Sequence, residues 1–138
     1  MASNERKMMD NALKKVVIPY LRKEGFKGSL PHFRRINETN IDLITFQFSR
    51  WGGSFVVELT NCSIEGLTTY FGEHIPPNRV TAHDINDRYR LGAKSKDDEG
   101  IWFEFENAKS ETDFENVASD VLNILNLSDR KWITSLLN

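Results

Sequence analysis

The chain has 138 residues and a formal net charge of −2, and 39% of its residues are hydrophobic. This length suits one domain, residues 1–138, that buries a core without the help of metals or disulfides. The composition excludes a largely disordered chain. Its single cysteine, Cys62, excludes an intrachain disulfide.

The charge is divided unevenly along the chain. Residues 1–50 carry ten Lys and Arg against five Asp and Glu, whereas residues 51–138 carry eight against fifteen, so halves of +5 and −7 sum to −2. A basic half is one mark of nucleic-acid binding. Its basic residues are interleaved with apolar positions rather than clustered. This pattern favours contact between the oppositely charged halves, which cancels their charges, over nucleic-acid binding. The candidate contacts would be Arg22, Lys23, Lys27, Arg34 and Arg35.

The sequence contains no targeting or membrane signal. Its N-terminal stretch MASNERKMMDNALKK is charged and lacks the apolar region of a signal peptide. No stretch approaches the roughly 20 apolar residues that a membrane-spanning helix needs. We therefore expect a cytoplasmic protein that does not contact the membrane.

A first helix is predicted from Lys7 to Glu24, because apolar residues recur there at helical spacing. Pro19 lacks a backbone N–H, which predicts a kink or a break, with Pro19 starting a final turn. Gly25 is typical of a helix stop. The apolar stripe consists of Met9, Leu13, Val16, Val17 and Tyr20.

After this helix the apolar period changes from helical to two. The alternating runs Phe33–Ile36, Ile41–Phe48 and Ser54–Thr60 are joined by short turns, which favours antiparallel strands. Two more strands are predicted at Arg88–Leu91 and Ile101–Phe105. One face of this sheet would carry Ile44, Phe46, Phe48, Phe55, Val57, Leu59, Ile101, Phe103 and Phe105.

The two remaining parts of the chain complete the predicted fold. Residues 61–87 contain Gly and Pro and are predicted to form a long ordered loop, with one short strand near Thr68–Phe71. A capping box, Thr112-x-x-Glu115, predicts the start of a second helix. The buried stripe of that helix would be Phe114, Val117, Ala118, Val121, Leu122 and Leu125. A last short helix, capped by Ser128, would place Trp132, Ile133, Leu136 and Leu137 inward.

Together these elements predict an α+β fold. An antiparallel β-sheet of about five strands would pack on an N-terminal helix and C-terminal helices. Strand order and register cannot be read from the pattern.

Several short motifs follow one another in a characteristic order. They are Gly25-Phe26, Phe33-Arg34-Arg35, Phe46-Gln47, Arg88-x-Arg90-x-Gly92 and Ile101-Trp102-Phe103. Over about residues 9–125 this pattern resembles the bacterial domain of unknown function family 4304. The resemblance implies a cytosolic bacterial protein, and it carries no established activity, substrate or cofactor.

The face of the sheet opposite the core is predicted to be polar. A candidate ligand site on it consists of Gln47, Arg88, Arg90 and Trp102, since paired arginines suit a carboxylate or a phosphate. The alternative is that the arginines form cross-strand ion pairs with Glu58 and Glu104 on a solvated face. Thr45 would also lie on this face.

A candidate partner-binding set lies in the turns and the long loop. It consists of Trp51, Tyr70, His74 and His83, of which Trp51 at a hairpin tip is a typical anchor for a partner. The two histidines with a nearby carboxylate could bind zinc, but no HExxH spacing or Cys pair supports this, so no metal is predicted.

No catalytic motif is present, so no catalytic residue and no cofactor is predicted. The leading functional hypothesis is a non-enzymatic protein-interaction module. The alternative is a small polar or anionic ligand-binding protein, or an enzyme, that uses the Arg, Gln and Trp residues of the sheet face.

Overall fold

The fold is taken from a computed structural model that describes residues 3–95 and 97–128. Helix α1 (Asn4–Val16) begins after Ser3, whose side chain accepts a hydrogen bond of 3.1 Å from the backbone N–H of Arg6. The helix breaks at Val17, and α2 (Ile18–Lys23) has Pro19 in its first turn. At that position the N–H that proline lacks would have no partner within the helix, so no hydrogen bond is lost. The predicted break, with Pro19 starting a final turn, is therefore confirmed.

The described residues form eight strands: β1 Lys27–Ser29, β2 His32–Ile36, β3 Asn40–Phe48, β4 Ser54–Ser63, β5 Leu67–Thr68, β6 His74–Ile75, β7 Tyr89–Arg90 and β8 Phe103–Glu104. All of their pairings are antiparallel, and six of these strands form the main sheet. The strand order is β1-β2-β3-β4-β7, and β8 pairs with β4 beside β7. The strands β5 and β6 form a separate hairpin.

The main core lies between one face of the sheet and the helices. The alternating residues predicted for that face are buried or pack against the core cluster, as the period of two requires. Helix α1 packs against α3 (Glu111–Ser128) on this side. The α3 residues Phe114, Ala118, Val121 and Leu125 are buried, which confirms its predicted stripe.

The start of α3 differs from the prediction. Ser110 Oγ accepts a hydrogen bond from the N–H of Asp113, and Asp113 Oδ2 accepts one from the N–H of Ser110. The capping box is thus Ser110-x-x-Asp113, and the predicted Thr112-x-x-Glu115 was wrong. Glu115 instead lies 3.2 Å from Lys15 Nζ on α1. The predicted last helix, with Trp132, Ile133, Leu136 and Leu137, lies outside the described residues.

The second face of the sheet is covered over part of its area. The predicted long loop is more ordered than expected: β4 runs on to Ser63, β5 and β6 form a hairpin, and a short 3₁₀ helix spans Ala82–Asp84. We call residues 76–88 the covering segment. Val80 and Ala82 of this segment form a second apolar cluster with Ile41 and Leu43 of β3.

Candidate functional site

A row of polar side chains crosses the second face of the sheet. In the observed register, His32 on β2 lies opposite Thr45 on β3, Thr45 opposite Glu58 on β4, and Glu58 opposite Arg90 on β7. Directly opposed residues in an antiparallel sheet point to the same face. Four neighbouring strands therefore each place one polar side chain in a continuous row, which lies beside the covering segment.

Glu58 is the centre of this row. Only 2% of the residue is exposed, which is unusual for a carboxylate unless it is paired. Its Oε2 accepts a hydrogen bond of 3.1 Å from Arg88 Nε and lies 3.6 Å from Arg90 Nε. Two guanidinium groups thus compensate one buried negative charge.

The other carboxylate oxygen is less well satisfied. Glu58 Oε1 is buried and accepts no hydrogen bond within the described part of the chain. Its neighbour is His83, whose Nε2 lies 3.6 Å away, beyond ordinary hydrogen-bond length. His83 is about half exposed on the 3₁₀ helix, so it stands between the buried carboxylate and solvent.

Two histidines meet above this row. The rings of His32 and His83 lie edge to face with their centroids 5.4 Å apart. His32 Nδ1 is 2.9 Å from Thr45 Oγ1. Burial lowers the pKa of His32, and the nearby His83 and Arg34 lower it further. His32 is therefore a neutral hydrogen-bonding group at neutral pH.

The covering segment is held down by side-chain bonds to its carbonyl groups. Arg88 Nη1 donates to the carbonyl oxygens of Ala82, His83 and Ile85 at 3.1–3.3 Å. From the sheet, Arg34 donates to the carbonyl of Val80, and Thr60 Oγ1 donates to the carbonyl of Asp87 at 2.7 Å. Arg88 therefore has a structural task in addition to its ion pair with Glu58.

The four predicted ligand residues share one face but not one contact group. Arg88 and Arg90 meet at Glu58, and the Cζ atom of Arg90 lies 5.5 Å from the centre of the Trp102 ring. Gln47 lies opposite Val56, one step along the face from Thr45. The guanidinium groups predicted to bind an anion are thus engaged with an internal carboxylate.

The four predicted partner-binding residues are spread over the molecule. Trp51 is 83% exposed at the turn between β3 and β4. Tyr70 lies at the tip of the β5–β6 hairpin. At the base of this hairpin, the paired residues Leu67 and Ile75 pack against the second apolar cluster. His74 belongs to that hairpin, where its Nδ1 is 3.3 Å from Thr68 Oγ1, whereas His83 faces Glu58.

The described residues hold no group of three or more His, Cys, Asp or Glu side chains that could bind a metal ion. Nor is any described helix long and apolar enough to cross a membrane.

A comparison with protein families gives a match. The model of the family described as a domain of unknown function (DUF4304) matches residues 17–133. The chain belongs to this family. Searches of curated proteins and of solved structures gave no match.

In this DUF4304 domain, sequence reasoning missed two features. The first is Phe71, which is 92% exposed beside Tyr70. A Tyr-Phe pair directly before Gly72 would have been the signal, since glycine favours a tight turn and a turn at that point exposes both rings. The second is the burial of Glu58. It depends on the covering segment, which carries no periodic pattern, so no local signal announces it.

Proposed function

We propose that this DUF4304 domain is a non-enzymatic protein-interaction module whose main contact surface is the tip of the aromatic hairpin (residues 67–75). The observation that carries the proposal is the exposure of two adjacent aromatic rings. Tyr70 is 97% and Phe71 92% exposed. Burying one such ring against a partner contributes up to about 3 kcal/mol.

The hairpin tip holds the two rings in a defined arrangement. Their centroids are 5.5 Å apart and their planes are nearly perpendicular, a favourable aromatic geometry. Thr69 supports the turn: its N–H donates to the carbonyl of Glu73 at 2.7 Å, and its Oγ1 accepts from the N–H of Glu73. Such preorganisation lowers the entropy cost of binding.

The charge around the hairpin favours a protein over a polyanion. The sequence between Trp51 and Asn78 contains no Lys or Arg, while Glu65 and Glu73 lie on and beside the hairpin. Nucleic acids and anionic membranes attract basic surfaces. A protein with an apolar cleft that accepts two rings fits this surface better.

The ion pairs of the sheet-face arginines Arg88 and Arg90 also favour protein interaction over the binding of an anionic ligand. An anionic ligand would have to displace Glu58 from Arg88 and Arg90, which would leave a buried carboxylate without its partners. A protein partner at the hairpin demands no such rearrangement.

The test uses variants at two separate exposed aromatic sites. The double variant Tyr70→Ala/Phe71→Ala and the control Trp51→Ala are compared with the wild type in pull-downs from the host lysate. The rings are exposed, so both variants should keep the wild-type stability within about 0.5 kcal/mol. We expect a retained partner to be lost only with the hairpin variant. If every protein retained by the wild type is also retained by that variant, the proposal fails.

A further inference from the structure

Among the strands of the described residues, β8 pairs with β4 on one side, and no strand pairs with its outer side. Phe103 lies opposite Phe55, and the N–H of Phe105 donates to the carbonyl of Gly53 at 2.8 Å. In an antiparallel pair, backbone groups alternate between facing the neighbouring strand and facing away from it. The N–H and C=O groups of Trp102 and Glu104 therefore point outward. Within residues 3–95 and 97–128, no hydrogen bond reaches the backbone of either residue.

A groove runs between this edge and helix α3. A recess of about 370 Å³ is lined by Trp102 and Glu104 on the strand side and by Val117, Asp120, Asn123 and Ile124 on the helix side. A second recess of similar volume shares Glu104 and Val117 with the first and continues past Glu106 and Asp113. The two recesses adjoin at Glu104 and Val117, and we call them together the channel. An open edge strand beside a helix suits the addition of an extended peptide as a further strand.

The channel is acidic and partly apolar. Its lining includes the carboxylates of Glu104, Glu106, Asp113 and Asp120, and neither recess is lined by Lys or Arg. Asp113 already accepts hydrogen bonds from the N–H groups of Lys109 and Ser110. The other three carboxylates remain to interact with a bound segment. Val117 and Ile124 supply apolar surface between them. This lining is complementary to a strand in which basic and apolar side chains alternate.

We propose that the β8 edge and α3 bind an extended, lysine- or arginine-rich segment of a partner protein, which adds as a strand to β8. The backbone groups of Trp102 and Glu104 pair with the segment. Its apolar side chains face α3 and reach Val117 and Ile124, whereas its basic side chains alternate to the other face of the sheet and meet Glu104 and Glu106. This surface lies apart from the aromatic hairpin, so the proposal is independent of the function proposed above.

The experiment titrates the full-length protein with a short synthetic peptide in which Lys and Val alternate. Backbone amide shifts are followed by NMR, and affinity is measured at low and at physiological salt. Three further peptides serve as controls. One replaces every Lys by Glu. The other two keep the sequence but are N-methylated at alternate residues, one at the odd and one at the even positions, so that one of them cannot form the strand hydrogen bonds.

Two charge-reversal variants complete the design. Glu104→Lys/Glu106→Lys alters the channel, and Glu38→Lys/Glu65→Lys changes the net charge equally at exposed positions outside it. All four residues are exposed, so both variants should fold. We expect the Lys-Val peptide to shift the amides of Trp102 and Glu104, and its affinity to fall at least about tenfold only in the channel variant.

Each alternative outcome decides against the proposal. The absence of binding at millimolar peptide overturns it. Equal weakening by the two charge-reversal variants indicates attraction by net charge alone. Undiminished binding of both N-methylated phases shows that no strand is added.

Discussion

Arg88 Nε donates a hydrogen bond of 3.1 Å to Glu58 Oε2, and this contact ties the covering segment to the centre of the sheet. The same guanidinium holds three carbonyl groups of the segment through Nη1. A planar side chain with donors on several edges is suited to such a double task. The ion pair therefore explains both why Glu58 can be buried and why the segment stays on the sheet.

Replacing Glu58 by Gln should lower the free energy of unfolding by about 3 kcal/mol. The change leaves the charges of Arg88 and Arg90 without a carboxylate partner at a buried site. Removing one partner of a buried ion pair is strongly destabilising because the remaining charge is not compensated. Urea denaturation monitored by circular dichroism measures the loss. Glu104→Gln, at an exposed position of the same sheet face, should change stability by no more than about 0.5 kcal/mol. Equal effects of the two substitutions would falsify the assigned role of Glu58.

Arg88→Lys should loosen the covering segment while the rest of the sheet stays intact. A lysine cannot reach both the Glu58 carboxylate and the three carbonyl groups, because its donors share one nitrogen. We expect faster hydrogen exchange of backbone amides in residues 80–85, equivalent to a loss of about 1–2 kcal/mol in local opening energy. The matched variant is Arg90→Lys, since the polar contacts of Arg90 with described residues are longer, 3.6 Å to Glu58 and 3.5 Å to the Glu99 carbonyl. Exchange that rises as much in Arg90→Lys as in Arg88→Lys would contradict this assignment.

The parts of the fold that were predictable are those with a local repeat. Alternation in Ile41–Phe48 and Ser54–Thr60 placed Phe46 and Val57 under the helices, and the structure buries both there. Such patterns work because each strand residue must choose one of two faces, and the helices cover only one of them.

The covering segment was not predictable for the opposite reason. Its position depends on single long-range bonds, such as those from Arg34 to Val80 and from Thr60 to Asp87. Neither residue pair has a spacing that a sequence pattern detects. The burial of Glu58 and the edge-to-face contact of His32 with His83 depend on the position of the covering segment. They could therefore not be predicted from the sequence either.

His32 should make the fold less stable as the pH falls below its ordinary pKa. Burial and the neighbouring His83 and Arg34 lower the pKa of His32 from its usual 6.5. Between 6.5 and the lowered value the unfolded chain binds a proton that the folded chain does not, so the free energy of unfolding rises with pH there. The contribution is absent above that window, where His32 is neutral in both states.

The measurement compares urea denaturation of wild type and His32→Gln from pH 7.5 down to pH 5. We expect the variant to lose part of the acid-side decrease in stability. His74→Gln, on the exposed hairpin, should retain the wild-type decrease. A wild-type pH slope that persists unchanged in His32→Gln would show that other groups carry it.

Cys62 offers a chemical probe of the same region. The thiol is partly buried against the second apolar cluster, and this burial raises its pKa. A smaller thiolate fraction and restricted access both slow attack on a thiol reagent. In native buffer at pH 8, wild-type Cys62 should therefore react much more slowly than in urea-unfolded protein. The release of a chromophore from an aromatic disulfide reagent gives the rate.

The reactivity of Cys62 should also report the ion pair between Arg88 and Glu58. Opening of the covering segment exposes the cluster in which Cys62 lies, so Glu58→Gln should raise the labelling rate. Each 1.4 kcal/mol lost from the opening energy corresponds to about a tenfold faster reaction. Glu104→Gln should leave the rate unchanged, because its side chain is exposed and lies outside this cluster. If Glu58→Gln lowers global stability and leaves the labelling rate at the wild-type value, Glu58 supports the sheet without controlling the covering segment.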